Sequence, residues 1–277
     1  MDSKMTNSET GKIQNGTIMN NPLSSIGKGH FSLTSRKNKD KDLERIIDRR
    51  SEELTIFNQN KISVPNKAFV INLKEREDRW ERFCNINRDL FGKLEVERFE
   101  AIQDKDVSKA IFSSHVGCLE KSFPKEKCVL VLEDDCILAS GWYEKLEQCF
   151  LDLPKDWDVL IGNHYFYSSI EVLTDNLAKP IGTASTANFV VYNQTSLEKI
   201  RNDYHLRQMA LQDIDHFLTS DLTSINNYTS WPMLSREFFS MSDHRGKARN
   251  MELRVREHAH MFPFIDSESY YPSIDCW

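Results

Sequence analysis

The chain has 277 residues, 39% hydrophobic and 28% charged, the make-up of a globular protein with a polar surplus. Its longest uninterrupted apolar stretch, Cys128 to Leu132, is far short of the roughly 18–20 residues that cross a bilayer, no basic-then-apolar leader opens it, and ten glycines without a period exclude collagen-like repeats. The net charge of -6 is uneven: residues 1–66 hold 11 Lys/Arg against 8 Asp/Glu, residues 67–277 hold 25 against 34, and so acidic a body is not expected to bind nucleic acid.

Eighteen of the first 35 residues are Asn, Ser, Thr or Gly, too few apolar groups to offset the entropy of ordering, so the start of the chain is expected to be disordered. The basic run Arg36–Lys41 leads into Leu43, Ile46, Ile47 and Leu54 at near-helical spacing. It reads as a solvated arm or as a short basic helix that touches a membrane surface or a partner. The expected division is a polar arm over 1–62 and one domain over 63–277. Lys67–Leu73 is a buried strand, the first of a parallel sheet. Arg76–Phe91 places Trp80, Phe83, Cys84, Ile86, Leu90 and Phe91 on a helix. Val96–Phe99 is a second strand, Ser113–Phe123 a helix and Cys128–Leu132 the strongest strand. Trp142–Leu153 is a helix ended by Pro154, with Trp142 and Trp157 as core residues. Trp157–Gly162 and Ala187–Tyr192 are further strands. Thr195 and Glu198 form a capping box before a helix face of Leu197, Ile200 and Tyr204. This alternation predicts an α/β domain with a largely parallel sheet.

The six cysteines form no Cys-x-x-Cys pair, and without a leader the expectation is reduced thiols in the cytoplasm. The sequons at Asn15, Asn193 and Asn227 then read as chance matches.

Chemistry concentrates at Leu132-Glu133-Asp134-Asp135, where three carboxylates follow a buried strand. Ligands of open α/β sheets lie beyond the carboxyl ends of strands, and adjacent carboxylates repel unless a cation sits among them. Such hard oxygen donors suit Mg²⁺ or Mn²⁺ shared with a phosphate. The alternative is a solvated acidic turn with Asp135 capping the next helix.

Other runs stand in order around it: Val70-Ile71-Asn72-Leu73-Lys74-Glu75-Arg76-Glu77-Asp78-Arg79-Trp80, Ser114-His115-Val116-Gly117-Cys118-Leu119, Gly182–Val191, Gln212-Asp213-Ile214-Asp215-His216-Phe217-Leu218, Trp231–Leu234 and Ser240–Arg245. The series resembles glycosyltransferase family 25, which holds lipooligosaccharide and collagen-type galactosyltransferases. The resemblance runs from residue 68 to about 245. One departure is that Gly117-Cys118-Leu119-Glu120-Lys121-Ser122 stands where the family often has G-C-x-x-S-H, with the Ser-His pair upstream at Ser114-His115.

The resemblance implies a GT-A fold, Rossmann-like, with a mostly parallel sheet between helices. It also implies inverting transfer of a sugar, galactose being the family's usual one, from a nucleotide diphosphate donor such as a UDP-sugar to a glycan acceptor, as in lipopolysaccharide biosynthesis. A divalent metal on Asp135, with Glu133 or Asp134, would stabilise the leaving diphosphate. Inversion needs a base on the opposite face, for which Asp215 and then Asp213 stand out; both also complement a helix N-terminus. Asn72, Arg76 and Arg79 lie where base and ribose would dock, although the arginines also fit a charged helix face. His244, Arg245 and Lys247 would close over the diphosphate, with His244 a further metal ligand, unless they form a surface loop. His115 reads as a helix-packing histidine outside the catalytic set. Two other classes remain: a metal-dependent phosphohydrolase, whose D-x-D motif Glu133-Asp134-Asp135-Cys136 does not fit, and a non-catalytic module that binds sugar or nucleotide.

Overall fold

The computed structural model describes residues 63–123, 125–163, 169–182, 187–209, 213–238, 241–242 and 247–248. The chain divides into Met1–Gln59 and Asn60–Trp277, and every described residue belongs to the second part. The expectations for the arm over 1–62, for Gln212 and for His244 and Arg245 therefore fall outside the described residues.

Strand β1 (Lys67–Asn72) is buried from Ala68 onward, because helices cover both faces of the sheet it starts. It is followed by α1 (Glu77–Ile86), α2 (Leu90–Lys93), β2 (Glu95–Glu100), α3 (Val107–Ser122), β3 (Cys128–Glu133), β4 (Cys136–Leu138) and α4 (Trp142–Asp152). Then come β5 (Val159–Ile161), β6 (Ser169–Val172), β7 (Leu177–Ile181), β8 (Phe189–Asn193), α5 (Ser196–Asn202), α6 (Tyr204–Met209), α7 (Ile214–Thr219), β9 (Asn227–Ser230) and β10 (Ser235–Glu237). Two short strands, β11 (Met241–Ser242) and β12 (Lys247–Ala248), pair with each other.

The main sheet has eight strands in the order β2-β1-β3-β8-β5-β9-β7-β6. It is not the mostly parallel, Rossmann-like GT-A sheet that the sequence led us to expect. Only β1–β2, β1–β3 and β5–β9 pair in parallel; β3–β8, β5–β8, β7–β9 and β6–β7 are antiparallel. The physical reason for the error is burial. Phe189, Val190, Val191 and Tyr192 are all inaccessible, so β8 reads as a continuous apolar run. That run signals cover on both faces and carries no information about strand direction. Only β7 and β8 run against the other six strands, yet lying between neighbours they create all four antiparallel pairs. The carboxyl ends of β1, β3 and β5 still share one edge, and the start of β8 joins them there.

Each face of the sheet has its own core. On one, α1, α2 and α4 place Phe83, Leu90, Trp142, Leu146 and Phe150 against Val70, Leu130, Leu132 and Phe189. On the other, α3, α5 and α7 place Phe112, Leu119, Ile200, Ile214 and Phe217 against Phe69, Val129, Val131, Val190 and Tyr192. Trp142 and Trp157 are both core residues, as expected.

Three local expectations shift. The helix expected over 76–91 breaks at Asn87, whose side chain donates to Cys136 O (2.9 Å) and accepts from Leu138 N (2.9 Å), tying the break to β4. Helix α3 starts six residues earlier than its apolar stripe indicated, because Asp106 caps it by accepting from Lys109 N at 3.1 Å. The Thr195 capping box does not form; the Thr195 hydroxyl donates instead to Asp158 Oδ1 at 2.8 Å. Among the described residues no helix is long and apolar enough to cross a membrane, and the five described cysteines are unpaired.

Candidate functional site

Side chains alternate along a strand, so the acidic run at the end of β3 serves both faces. Asp134 falls on the α1 face. It accepts from Asn72 Nδ2 at 2.5 Å and pairs through its other oxygen with Arg79 Nη2 at 2.5 Å. Both side chains of the ion pair are 9% exposed. Burial pushes the Asp134 carboxyl above its ordinary range, against the pull of Arg79 and Asn72. Both oxygens of Asp134 are thus engaged within the protein. Arg76, expected beside them, turns to Asp78 with two 2.9 Å contacts and pulls that carboxyl down to about 2. Half-buried Arg82 lies over the Phe238 ring, 4.1 Å from its centroid.

Asp135 is 13% exposed and stands 3.4 Å from Arg79. Its Oδ1 is shielded from water and has no hydrogen-bond partner among the described residues. Burial pushes its carboxyl well above the ordinary range, and Glu237 on β10, Glu133 and Asp134 add to the rise while Arg79 opposes it. Asp135 caps no helix, since β4 follows it directly.

Glu133 takes the α3 face. Its Oε1 lies 3.6 Å from Nε2 of His115, a residue only 1% exposed. The Nδ1 of the same ring is 2.8 Å from the Tyr192 hydroxyl. Burial pushes the Tyr192 phenol well above its ordinary value, so it keeps its proton. The ring nitrogen is its hydrogen-bond partner, and Nε2 on the other side of the ring faces Glu133.

Helix α3 also reaches the second acidic group. Ser108, in its first turn, donates to Asp213 Oδ1 at 2.5 Å. Seven residues separate Ser108 from His115, about 10 Å along the axis. Asp213 precedes α7 without bonding its amides, and Asp215 accepts from His216 N at 2.8 Å. Asp213, Asp215 and His216, all half-buried, bring three ligand atoms within 4.8 Å of one another, a group compatible with a divalent cation. Two carboxylates with an imidazole are a mixed hard and borderline donor set, which fits Mn²⁺ better than Mg²⁺. The Glu133–Asp135 run does not bring three such donors together, since Asp134 is turned to Arg79 and Asn72.

Buried polar atoms without hydrogen-bond partners among the described residues gather at the same sheet edge. Besides Asp135 Oδ1 they are Asn72 Oδ1, His115 Nε2, Asn163 Oδ1 and Asn188 Nδ2. Each such atom costs about 1–3 kcal/mol when nothing answers it. A cavity of about 430 Å³ lies elsewhere, between Phe112, Val116 and Gly117 of α3 and Ile200, Arg201 and Tyr204; none of the acidic residues above lines it.

The structure therefore joins Asn72, Arg79 and Asp134, sets Asp135 and Glu133 beside them, and groups Asp213 with Asp215. Arg76 meets that group through its backbone, its carbonyl accepting from Asn72 Nδ2 at 3.2 Å, while its guanidinium bonds Asp78. Sequence reasoning passed over His115, Asn163 and Asn188. The Ser-His pair was in view for the first, and Asn163 directly follows the glycine that closes β5. Asn188 stands at the end of the Gly182–Ala187 run, immediately before its strand.

No protein-family model matches the chain, and no curated protein matches it. Among solved structures it is distantly similar to glycosyltransferases. One takes part in glycosylation of the major capsid of PBCV-1, with 13% identity over 53% of this chain and 69% of that one and a TM-score of 0.32. Another is a Drosophila β1,4-galactosyltransferase 7 variant in complex with manganese, UDP-Gal and xylobiose, with 7% identity over 70% of this chain and 80% of that one and a TM-score of 0.36.

Proposed function

We propose that the protein is a metal-dependent, inverting glycosyltransferase akin to family 25. It would move a hexose such as galactose from a nucleotide diphosphate donor, a UDP-sugar, to a hydroxyl of a glycan acceptor. Convergence supports this reading: runs far apart in the chain meet at one sheet edge through direct contacts. Asn72 reaches Asp134 across 62 residues of sequence, His115 faces Glu133, and Ser108 holds Asp213 across 105.

A divalent cation would supply Lewis-acid stabilisation of the leaving diphosphate. Glu133 and Asp135 are the residues to hold it at the strand end. Arg79 and Asn72 fix the turn between them by anchoring Asp134, and Arg82 adds positive charge beside a bound anion. Asp215, or Asp213 two residues earlier, takes the acceptor proton. A second placement of the cation, on Asp213, Asp215 and His216, is favoured by the convergence of their ligand atoms.

The test is release or transfer of sugar from a panel of UDP-, GDP- and dTDP-sugars with Mn²⁺ and with excess EDTA. Turnover that needs Mn²⁺ is expected, and full turnover in EDTA overturns the metal dependence. Mn²⁺ titration of Asp135→Asn and Asp215→Asn separates the two placements, because only the variant that has lost a ligand loses affinity.

A further inference from the structure

Strand register sets up a row of polar side chains that the reading above leaves unused. β8 pairs antiparallel with β3, Leu132 opposite Phe189, and with β5, Ile161 opposite Val190. One step further puts Glu133 opposite Asn188, and two steps put Asn163 opposite the same Asn188. Hydrogen bonds from Glu133 N to Asn188 O (3.1 Å) and from Gly162 N to Phe189 O (2.9 Å) carry the ladder to that level. Glu133, Asn188 and Asn163 thus stand side by side on three adjacent strands, a row of about 10 Å at the usual strand spacing. Their neighbours two residues back along each strand, Val131, Val190 and Ile161, all pack on the α3 face, so the row lies on the side where His115 meets Glu133.

Asn163 and Asn188 are 0% and 3% exposed, and the amide of Asn163 donates to the carbonyl of Asn188. That leaves the Asn163 carbonyl and the Asn188 amino group without partners among the described residues. Turning both amides over reverses the internal bond and leaves the same remainder, one free acceptor beside one free donor. A neighbouring pair of hydroxyls, each both donor and acceptor, is the ligand group that answers this remainder. An apolar ligand would not, and an anion would leave the carbonyl opposed.

We propose that the Asn163–Asn188 amide pair is the subsite that grips vicinal hydroxyls of the transferred sugar, with His115 Nε2 as a further polar contact at the Glu133 end. This rests on the glycosyltransferase reading. In a nucleotide sugar the hexose is joined directly to the diphosphate, so its pocket has to adjoin the carboxylates that hold the cation. Asn188 lies one strand from Glu133.

Calorimetric titration of the full chain with Mn²⁺ tests the proposal, comparing UDP, GDP and dTDP with their hexose conjugates. The wild type should bind one conjugate at least tenfold tighter than its bare nucleotide. Asn188→Leu should abolish that preference and change bare-nucleotide affinity less than twofold. The isosteric Asn163→Asp, which keeps the volume and replaces the amide by oxygens alone, should reduce the preference at least threefold. Equal wild-type affinity for conjugate and nucleotide overturns the subsite, and so does a preference that survives Asn163→Asp. A wild type that binds none of the nucleotides overturns the glycosyltransferase reading itself.

Discussion

Asp135→Asn should make the protein more stable while disabling it. The wild-type side chain is 13% exposed, its Oδ1 has no hydrogen-bond partner among the described residues, and Glu237, Glu133 and Asp134 surround it. Its carboxyl is raised well above the ordinary 3.8, first by burial. The folded state therefore holds the proton more tightly than the unfolded chain does. The stability tied to Asp135 is full below its ordinary value and is lost as pH rises through the raised one. At neutral pH and without a cation, the ionised group is a cost. Asparagine has the same shape, carries no charge and offers an amide to carboxylates that repelled the original oxygen. A buried unsatisfied acceptor costs about 1–3 kcal/mol, and recovering that in a domain of this size raises Tm by about 2–12 °C. Thermal melts of both proteins in EDTA, stepped from about pH 4 to 8, give the readout. The gap should be small at the acid end and widen with pH. With the cation at the strand end, added Mn²⁺ should narrow it, because only the wild type keeps that ligand and gains binding energy; with the cation on Asp213, Asp215 and His216, the gap should be unchanged. A gap that is flat in pH, or a variant that melts lower at neutral pH in EDTA, would refute the reasoning.

Removing one partner of the buried Arg79–Asp134 pair should be severe: Arg79→Leu is expected to cost about 3–5 kcal/mol in urea unfolding, since Asp134 is left charged and buried. Asp215→Asn should cut turnover by roughly 10²–10⁴-fold with little change in donor affinity if Asp215 is the base; a collapse of donor binding would place it in the donor or metal site instead. Gly162→Ala should lower stability by about 1–3 kcal/mol in thermal melts, because the added methyl meets the fully buried Phe189 ring. Deleting residues 1–62, chosen for their polar composition, should leave cooperative unfolding and Tm nearly unchanged; loss of the cooperative transition would refute that.

Much of the core was legible in the sequence because burial leaves a strong trace. Val129 to Leu132 in β3 and the Trp142, Leu146, Cys149 and Phe150 stripe of α4 form as their patterns indicate. Strand direction was not legible, for the reason β8 shows: a strand buried on both faces looks the same read either way. The edge strand β6, with three of its four residues exposed (Ser169, Glu171 and Val172), gives no apolar run to detect. The acidic run was visible, but its division of labour was not. No local rule says that Asp134 would be taken up by Arg79 and Asn72 while Glu133 turned to the opposite face. Asn163 and Asn188 look like ordinary loop residues in sequence, and only register puts them together.

The reversed direction of β8 has a consequence for how this protein can vary. Because β8 runs down between two strands that run up, the connection leading into it opens on the same side as those leaving β1, β3 and β5. The opposite edge is fastened. There Asp158, 1% exposed, accepts from Thr195 Oγ1, Lys199 Nζ and Asn226 N at 2.8, 2.5 and 2.7 Å, locking β5, β8 and β9 to α5. The molecule thus has a hem and an open border. Exchange of exposed residues along the border, away from the buried Arg79–Asp134 pair and Gly162, should have small effect on folding, whereas exchange along the hem is felt first as lost stability. Variants selected for a new substrate should accumulate on one side of the sheet, and those selected for heat resistance on the other.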